Sequence, residues 1–342
     1  MAEALVVIWL ERFRTEMQPL VEAEREQQRQ AQPKRRGRRK DPSVTGSLIG
    51  DDATMSKPKG RQMEGLGKHH ATTHEQRIVG HRLVQGLCVL LDRRCPLAPQ
   101  RYRQEKVCES EEGVFQSTIA LMETLIRTFE SVVGSRTHVL LDRWYGATGL
   151  WRAARERDFL ITTGLKSNRW LRIADETTPQ GWSWQKLSDS LASLTEQDCV
   201  QASWPRGGKA VYVPVVNTRI RKLDCCQVVI VRHSLSAPLS QARYWASSDL
   251  EAETHTLLAH LSARWESEVL FADGKEELGL DHDQLMSAQA QVALLDPGAA
   301  GLRLSGARAA PLAPQMAAPG DDWPSSTRDP ASSSSSLALL AA

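Results

Sequence analysis

Arg264, Glu268 and Lys275 stand four and seven residues apart. On a helix of about 3.6 residues per turn that spacing brings all three to one face. A carboxylate flanked by two cations suits a metal ligand beside a phosphodiester, and the same spacing describes a solvated helix stitched by ion pairs. Two further acidic positions invite the same chemistry: the pair Asp51 and Asp52 after the apolar Leu48 and Ile49, and Asp142 after the run His138 to Leu141. Both are expected at strand ends, where functional side chains of α/β sheets gather. Carboxylates converging from separate elements can hold two Mg2+ ions about 3.5 to 4 Å apart, which activate a water or a 3′-hydroxyl and stabilise the leaving oxygen of a phosphoryl displacement. An Asp at a strand end amid cations also fits a turn former or a salt-bridge partner.

The elements that would carry these residues can be read from periodicity. Leu5, Ile8, Trp9, Phe13, Met17 and Leu20 mark a helix over the first thirty-one residues, which Pro19 is expected to kink or divide and Pro33 to end. Six cations in seven residues follow, from Lys34 to Lys40, either a solvated linker or an anchor for phosphates. Leu48-Ile49, Ile78-Val79 and Leu87 to Leu91 read as short strands, with His69, His70, His74 and His81 as loop histidines whose spacing matches no zinc pattern. Residues 111 to 131 read as an amphipathic helix through Val114, Ile119, Met122, Leu125, Ile126 and Phe129. The strand ending at Asp142, a helix through Leu150, Trp151 and Ala154, and a strand Phe159 to Thr163 then alternate, which argues for a mixed α/β core with at least one parallel pair. Residues 170 to 248, with Trp182, Trp184, Trp204 and the strands Val211 to Val213 and Gln227 to Val231, read as a β-rich insertion, and a helix resumes near Glu251.

Composition narrows the classes. With 43 Lys and Arg against 41 Asp and Glu, there is no global field for a polyanion, so any nucleic-acid surface is local. Six cysteines without a CxxC pair or zinc spacing read as reduced thiols in a cytosolic protein. The absence of an apolar run of about 18 residues argues against membrane insertion.

Taken in order, these motifs resemble the insertion-sequence transposases of the DDE superfamily, whose RNase H-like core is interrupted by a β-rich insertion before the last carboxylate. The family signature Y-x2-R-x3-E-x6-K is matched in register by Arg264, Glu268 and Lys275, with Leu261 at the Tyr position. The second signature, an Asp followed by Arg and an aromatic, is matched by Asp142-Arg143-Trp144-Tyr145, and the turn Gly164 to Arg169 is also similar. The first is matched by Ile49-Gly50-Asp51-Asp52-Ala53-Thr54. The resemblance spans roughly residues 45 to 290.

It implies an RNase H-like α/β core of mixed sheet and helices, and Mg2+-dependent cleavage at transposon ends followed by strand transfer, with Mn2+ as a substitute ion. It implies Asp51 or Asp52, Asp142 and Glu268 as metal ligands, with Asp51 preferred as the first acid after the apolar strand. Arg264, Lys275, Lys166 and Arg169 become candidates for DNA phosphates, and Arg143 a candidate either to orient Asp142 or to meet a phosphate. Trp245 becomes a candidate to stack on an unpaired base, against the competing place for this ring inside the β-rich core. The partners implied are double-stranded DNA, both terminal repeats and target, and a second copy in a synaptic homodimer. The setting implied is bacterial cytoplasm, at the nucleoid.

The expected organisation is an N-terminal helix and basic linker over 1–44, the first part of the catalytic core over 45–169, the insertion over 170–248, the last catalytic helix over 249–291 and a disordered low-complexity tail over 292–342. The tail, with Pro297, Pro311, Pro314, Pro319 and a serine run to Ser336, cannot bury enough apolar surface to fold. Leu294 to Leu304 can be encoded so that a one-nucleotide shift reads Phe-Trp-Thr-Leu-Ala-Leu-Leu-Ala-Tyr-Val, an apolar helix, which suggests a frameshift near Gln291. Two alternatives stand beside the transposase: an inactive DNA-binding remnant, and a metal-dependent nuclease or phosphatase outside transposition.

Overall fold

The computed structural model describes residues 2–31, 44–60, 63–71, 76–110, 113–190, 195–237, 241–276 and 279. The basic run Lys34 to Lys40, His74, Pro33 and the expected tail lie outside them. No helix among the described residues is long and apolar enough to cross a membrane. The described residues up to Thr163 and from Ala263 onward form one compact unit, and those from Gly164 to Ser262 form another.

In the first unit, helix α1 (Ala2–Ala31) runs unbroken through Pro19. The expected division does not occur. Phe13, Met17 and Val21 form a buried stripe four residues apart that crosses the proline, and this packing outweighs the roughly 3 kcal/mol that an interior proline costs. Strand β1 (Val44–Ser56) is central. It pairs antiparallel with β3 (Gln76–Leu90), which pairs on with β2 (Gly67–Ala71), β4 (Arg93–Pro96) and β5 (Gln100–Tyr102). On its other side β1 pairs parallel with β6 (Ser135–Leu141), and β6 pairs parallel with β7 (Leu160–Leu165). The mixed α/β sheet and its parallel pairs agree with the alternation read from the sequence.

Three local expectations are corrected. Ile78-Val79 and Leu87 to Leu90 are not separate strands, because pairing with β2 from Gln76 to Gly80 and with β1 from Gly80 to Val89 carries one ladder along β3, and Leu91 lies just past its end. The histidines are not loop residues: His69 and His70 lie in β2 and His81 in β3, with His69 and His81 buried. Burial, reinforced by the charge of Arg82, pulls the His69 imidazole down to about 4, so it is neutral near neutrality. The helix expected over residues 111 to 131 is only α3 (Thr118–Thr128), because Ser117 accepts a hydrogen bond from the Ala120 N–H and starts it there.

Helices cover both faces of this sheet. After α2 (Glu105–Ser110), α3 and α4 (Thr148–Glu156) bury Met122, Ile126, Leu150 and Ala154 on one side. Gly50 permits their close approach, since a Cβ there would meet Met122 Sδ at 2.5 Å and Leu141 Cδ2 at 2.7 Å. Helix α7 (Glu266–Glu276) covers the other side, where Phe271 packs with Met55 and Leu83, and Leu270 with Ile49, Leu87 and Leu140.

The second unit is β-rich. Hairpins β8 (Trp170–Ala174) with β9 (Trp182–Lys186) and β10 (Val200–Ser203) with β11 (Ala210–Val213) accompany an antiparallel run of β12 (Val215–Arg219), β13 (Cys225–Val231) and β14 (Arg243–Ser247). Besides the single turn α5 (Leu187–Ser190), helix α6 (Thr254–Ala263) packs Leu257, Leu258 and Leu261 onto Val211, Val213, Val229 and Val231. This gives the unit a core of its own.

Candidate functional site

The alternation of β1 separates its two aspartates. Successive side chains of a strand point to opposite faces. Asp51 therefore shares a face with Ile49, Ala53 and Met55, the residues that α7 covers. Asp52 shares the opposite face with Leu48. Neither aspartate ends a strand, as had been expected, because β1 continues to Ser56 in its hairpin with β3.

Asp142 does lie where expected, directly after β6. The parallel register pairs Ile49 with Leu140 and Gly50 with Leu141, so the next step along both strands sets Asp142 abreast of Asp51. Asp142 caps a short 3-10 turn over Arg143–Tyr145 by accepting a hydrogen bond from the Trp144 N–H.

The segment Arg264 to Glu268 approaches from the α7 side. Arg264 is not on the helix: it and Trp265 form the turn before Glu266, where α7 begins. From that turn the guanidinium reaches both carboxylates, with Nη1 3.4 Å from Asp51 Oδ2 and Nη2 donating to Glu268 Oε1 at 2.9 Å. Ser267, buried in the first turn of α7, donates its hydroxyl to Asp51 Oδ2 at 2.9 Å. The backbone N–H of Asp52 donates to the other oxygen, Asp51 Oδ1, at 2.8 Å.

The Asp51 side chain retains 17% of its accessible surface. Burial pushes its carboxyl up to about 6, the Arg264 charge opposes this, and the nearby Asp142 adds to it. Asp52 is also raised, by burial first and by Asp142 last, while the Tyr145 hydrogen bond and Arg82 pull it down. Its oxygens are spoken for: Tyr145 Oη donates to Oδ1 at 2.8 Å and Arg82 Nε lies 3.3 Å from Oδ2. Tyr145 is fully buried, and burial beside these carboxylates raises its hydroxyl.

Asp51, Asp52, Asp142, Arg264 and Glu268 are thus assembled on one unit. The other candidates lie elsewhere. Lys275 is in the last turn of α7, seven residues or about 10 Å along the axis from Glu268. Arg143 is exposed beside Asp142. Lys166, Arg169 and Trp245 belong to the second unit. Lys166 and Arg169 bound an exposed turn closed by an Arg169 N–H to Lys166 carbonyl bond of 3.1 Å. Trp245 is partly buried against the core that holds Val229 and Leu257, and its indole N–H is buried without a hydrogen-bond partner among the described residues. Leu261, at the Tyr position of the signature, is buried in the same core.

Sequence reading missed Ser267, Tyr145 and Arg82. Ser267 adjoins Glu268, and a small hydroxyl in the first turn of a helix carries no signal beyond that adjacency. Tyr145 was visible as an aromatic near Asp142, but its bond to Asp52 is a long-range contact that no spacing reveals.

The donor set is of the kind a hard divalent cation takes: carboxylate oxygens, one of them a buried aspartate whose charge is incompletely offset. As placed, no group of three or more His, Cys, Asp or Glu among the described residues lies close enough together to hold a metal ion. Arg264 spans Asp51 and Glu268 instead, so a cation would have to take the guanidinium's place.

Fold and site together define a mixed α/β protein with an acidic cluster held between a central strand, its parallel neighbour and a covering helix. No protein-family model matches the chain, and no curated protein matches it.

Proposed function

We propose that the chain is a DNA-cutting and strand-transferring enzyme, an insertion-sequence transposase of the DDE superfamily with an RNase H-like core. The observation that carries this reading is the register of β1 and β6, which sets Asp51 abreast of Asp142, together with the Arg264 fork that joins Asp51 to Glu268. Three motifs far apart in sequence thereby share one compact unit, which supports the reading.

In this reading Asp51, Asp142 and Glu268 would hold Mg2+, or Mn2+ in its place, and Asp51 rather than Asp52 is the ligand of the pair because it lies on the face of β1 that α7, the helix of Glu268, covers. Bound there, the ions would supply the activation of a water or 3′-hydroxyl and the charge that offsets a leaving oxygen. Ser267 orients Asp51. Arg264, once released from the carboxylates, offers a planar fork to a DNA phosphate. Arg143 and Lys275 extend the cationic contacts on this unit, and Lys166 and Arg169 offer two more on the other.

The experiment is nicking of a duplex carrying the element's terminal repeats, with Mg2+ and with EDTA. Cleavage that needs Mg2+ and is abolished by Glu268→Gln supports the assignment. Cleavage that survives Glu268→Gln overturns it. A second reading, an inactive DNA-binding remnant, draws on the Arg264 pairing of Asp51 and Glu268 and on Leu261 in place of Tyr. Salt-sensitive binding to the same duplex without cleavage under any divalent ion would favour it.

A further inference from the structure

Two of the six cysteines face each other across neighbouring strands. The hairpin of β3 and β4 turns through Leu91 and Asp92, both at positive φ (48° and 61°), the pattern of a two-residue type I′ turn. Such a turn fixes the register, and it sets Cys88 of β3 directly opposite Cys95 of β4. Hydrogen-bonded and non-bonded pairs alternate away from the turn, beginning with a bonded pair at Leu90 and Arg93. Cys88 and Cys95 form the next bonded pair. Gly86 and Leu97 form the one after, where the Leu97 N–H donates to the Gly86 carbonyl at 2.8 Å. Pro96, which has no N–H to give, falls at a non-bonded position between them. A bonded pair sets its Cα atoms about 5.5 Å apart, inside the roughly 4.4 to 6.8 Å that a disulfide spans. The two Cβ atoms lie on one face of the sheet at about 5 Å and have to close by about 1 Å. Both thiols are buried and unbridged.

We infer that Cys88 and Cys95 are an oxidation site, a dithiol that a hydroperoxide closes to an intramolecular disulfide. This stands apart from the DNA-cutting reading. One molecule of hydrogen peroxide balances the step. A thiolate attacks one peroxide oxygen, the O–O bond breaks, and hydroxide leaves to take up the thiol's proton as water. The second thiol then attacks the resulting sulfenic acid, an S–S bond replaces the S–O bond, and a second water departs. The two sulfurs lose two electrons, and the peroxide oxygens gain them. Burial opposes reaction while the hairpin is closed, and the Cys88 thiol is raised by burial and then by Cys95. Entry is through β4. Among the described residues this four-residue strand pairs with β3 alone, and Arg94 ties it to Glu266 at 2.7 Å through a half-exposed ion pair, a kind that adds little stability. Local opening of β4 bares Cys95 first, and reclosing returns its sulfenic acid to Cys88. The bridge joins the strand that pairs with β1 to the strand that holds the first turn of α7, two supports of the acidic cluster.

The test treats the full native chain with hydrogen peroxide until Cys225, which is exposed, is fully oxidised. Remaining thiols are blocked with iodoacetamide, and tryptic peptides are mapped by mass without reductant. Cleavage after Arg93 and Arg94 puts the two cysteines on separate peptides, Leu83 to Arg93 and Cys95 to Arg101. The expected product is these two joined, two hydrogens lighter than their sum and parted by a phosphine reductant. Cys88→Ala combined with Val89→Cys moves the thiol one place along β3 and turns it to the other face, so the link to Cys95 should vanish. Recovery of Cys88 and Cys95 alkylated or singly over-oxidised while Cys225 is spent overturns the dithiol. A link formed equally well by the shifted thiol, or a bridge from Cys88 or Cys95 to any other cysteine, overturns it too.

Discussion

Asp51 carries the electrostatic tension of the site, and its sign can be worked through. Its carboxyl is raised from 3.8 to about 6 by burial, against the pull of Arg264. The native state therefore holds this proton more tightly than the unfolded chain. The associated stability is fully present below about pH 4 and is lost as pH rises through 6, above which the ionised buried group costs about 3 kcal/mol. Asp51→Asn should then stabilise the metal-free protein by about 2 to 3 kcal/mol at pH 8 and by little at pH 4, while removing cleavage. Urea unfolding in EDTA at both pH values measures this, and an equal effect at the two would refute the burial argument. Tyr145 makes the opposite case. Tyr145→Phe strips the donor from Asp52 Oδ1 and leaves that half-buried carboxylate short of a bond, at a cost of about 1 to 3 kcal/mol. Because the turn that holds Asp142 would loosen, the nicking rate should fall with DNA affinity unchanged. Equal losses in rate and affinity would point to general unfolding instead.

At the scale of elements, the part of the site that was legible in the sequence is the part set by local periodicity. His138 to Leu141 announced a buried strand, and Asp142 follows it as expected. Asp51 and Asp52 were not separable there, although strand alternation places them on opposite faces, because which face α7 covers depends on a packing partner more than two hundred residues on. The second half of β1 was also invisible: Asp52 and Thr54 look like loop residues, and only the hairpin with β3 makes them strand. Arg264 was assigned to the helix from spacing alone, yet it precedes α7, and from a turn its fork reaches two carboxylates at once. The close packing that supports this arrangement is testable at Gly50. Gly50→Ala would drive a Cβ into Met122 and Leu141, and α3 would have to shift from the strand that carries Asp51. We expect a loss of about 1 to 3 kcal/mol by thermal or urea unfolding, and an unchanged stability would show that the Met122 side chain moves aside freely.

At the scale of the whole molecule, the acidic cluster lies within one compact unit whose last segment arrives only after the chain has completed another. The unit from Gly164 to Ser262 interrupts the first between Asp142 and Glu268. It also has the means to stand alone. Val211, Val213, Val229, Val231, Leu257, Leu258 and Leu261 are all buried against one another, with Trp204 and Trp245 beside them. A domain needs a core of its own to fold by itself, and this one has seven buried aliphatic residues drawn from strands and a covering helix. Residues 164–262 expressed alone should therefore unfold in a single cooperative transition, with Val229→Ala lowering its midpoint through the cavity it leaves, by about 1 to 3 kcal/mol. Removal of Leu261 should have the same kind of effect, since the residue at the Tyr position of the signature packs into this core. Leu261→Tyr should likewise lower the midpoint, because the larger ring must fit among Val211, Val229 and Leu257. A fragment that shows no cooperative transition would mean that this core holds only while the first unit is folded around its two connections.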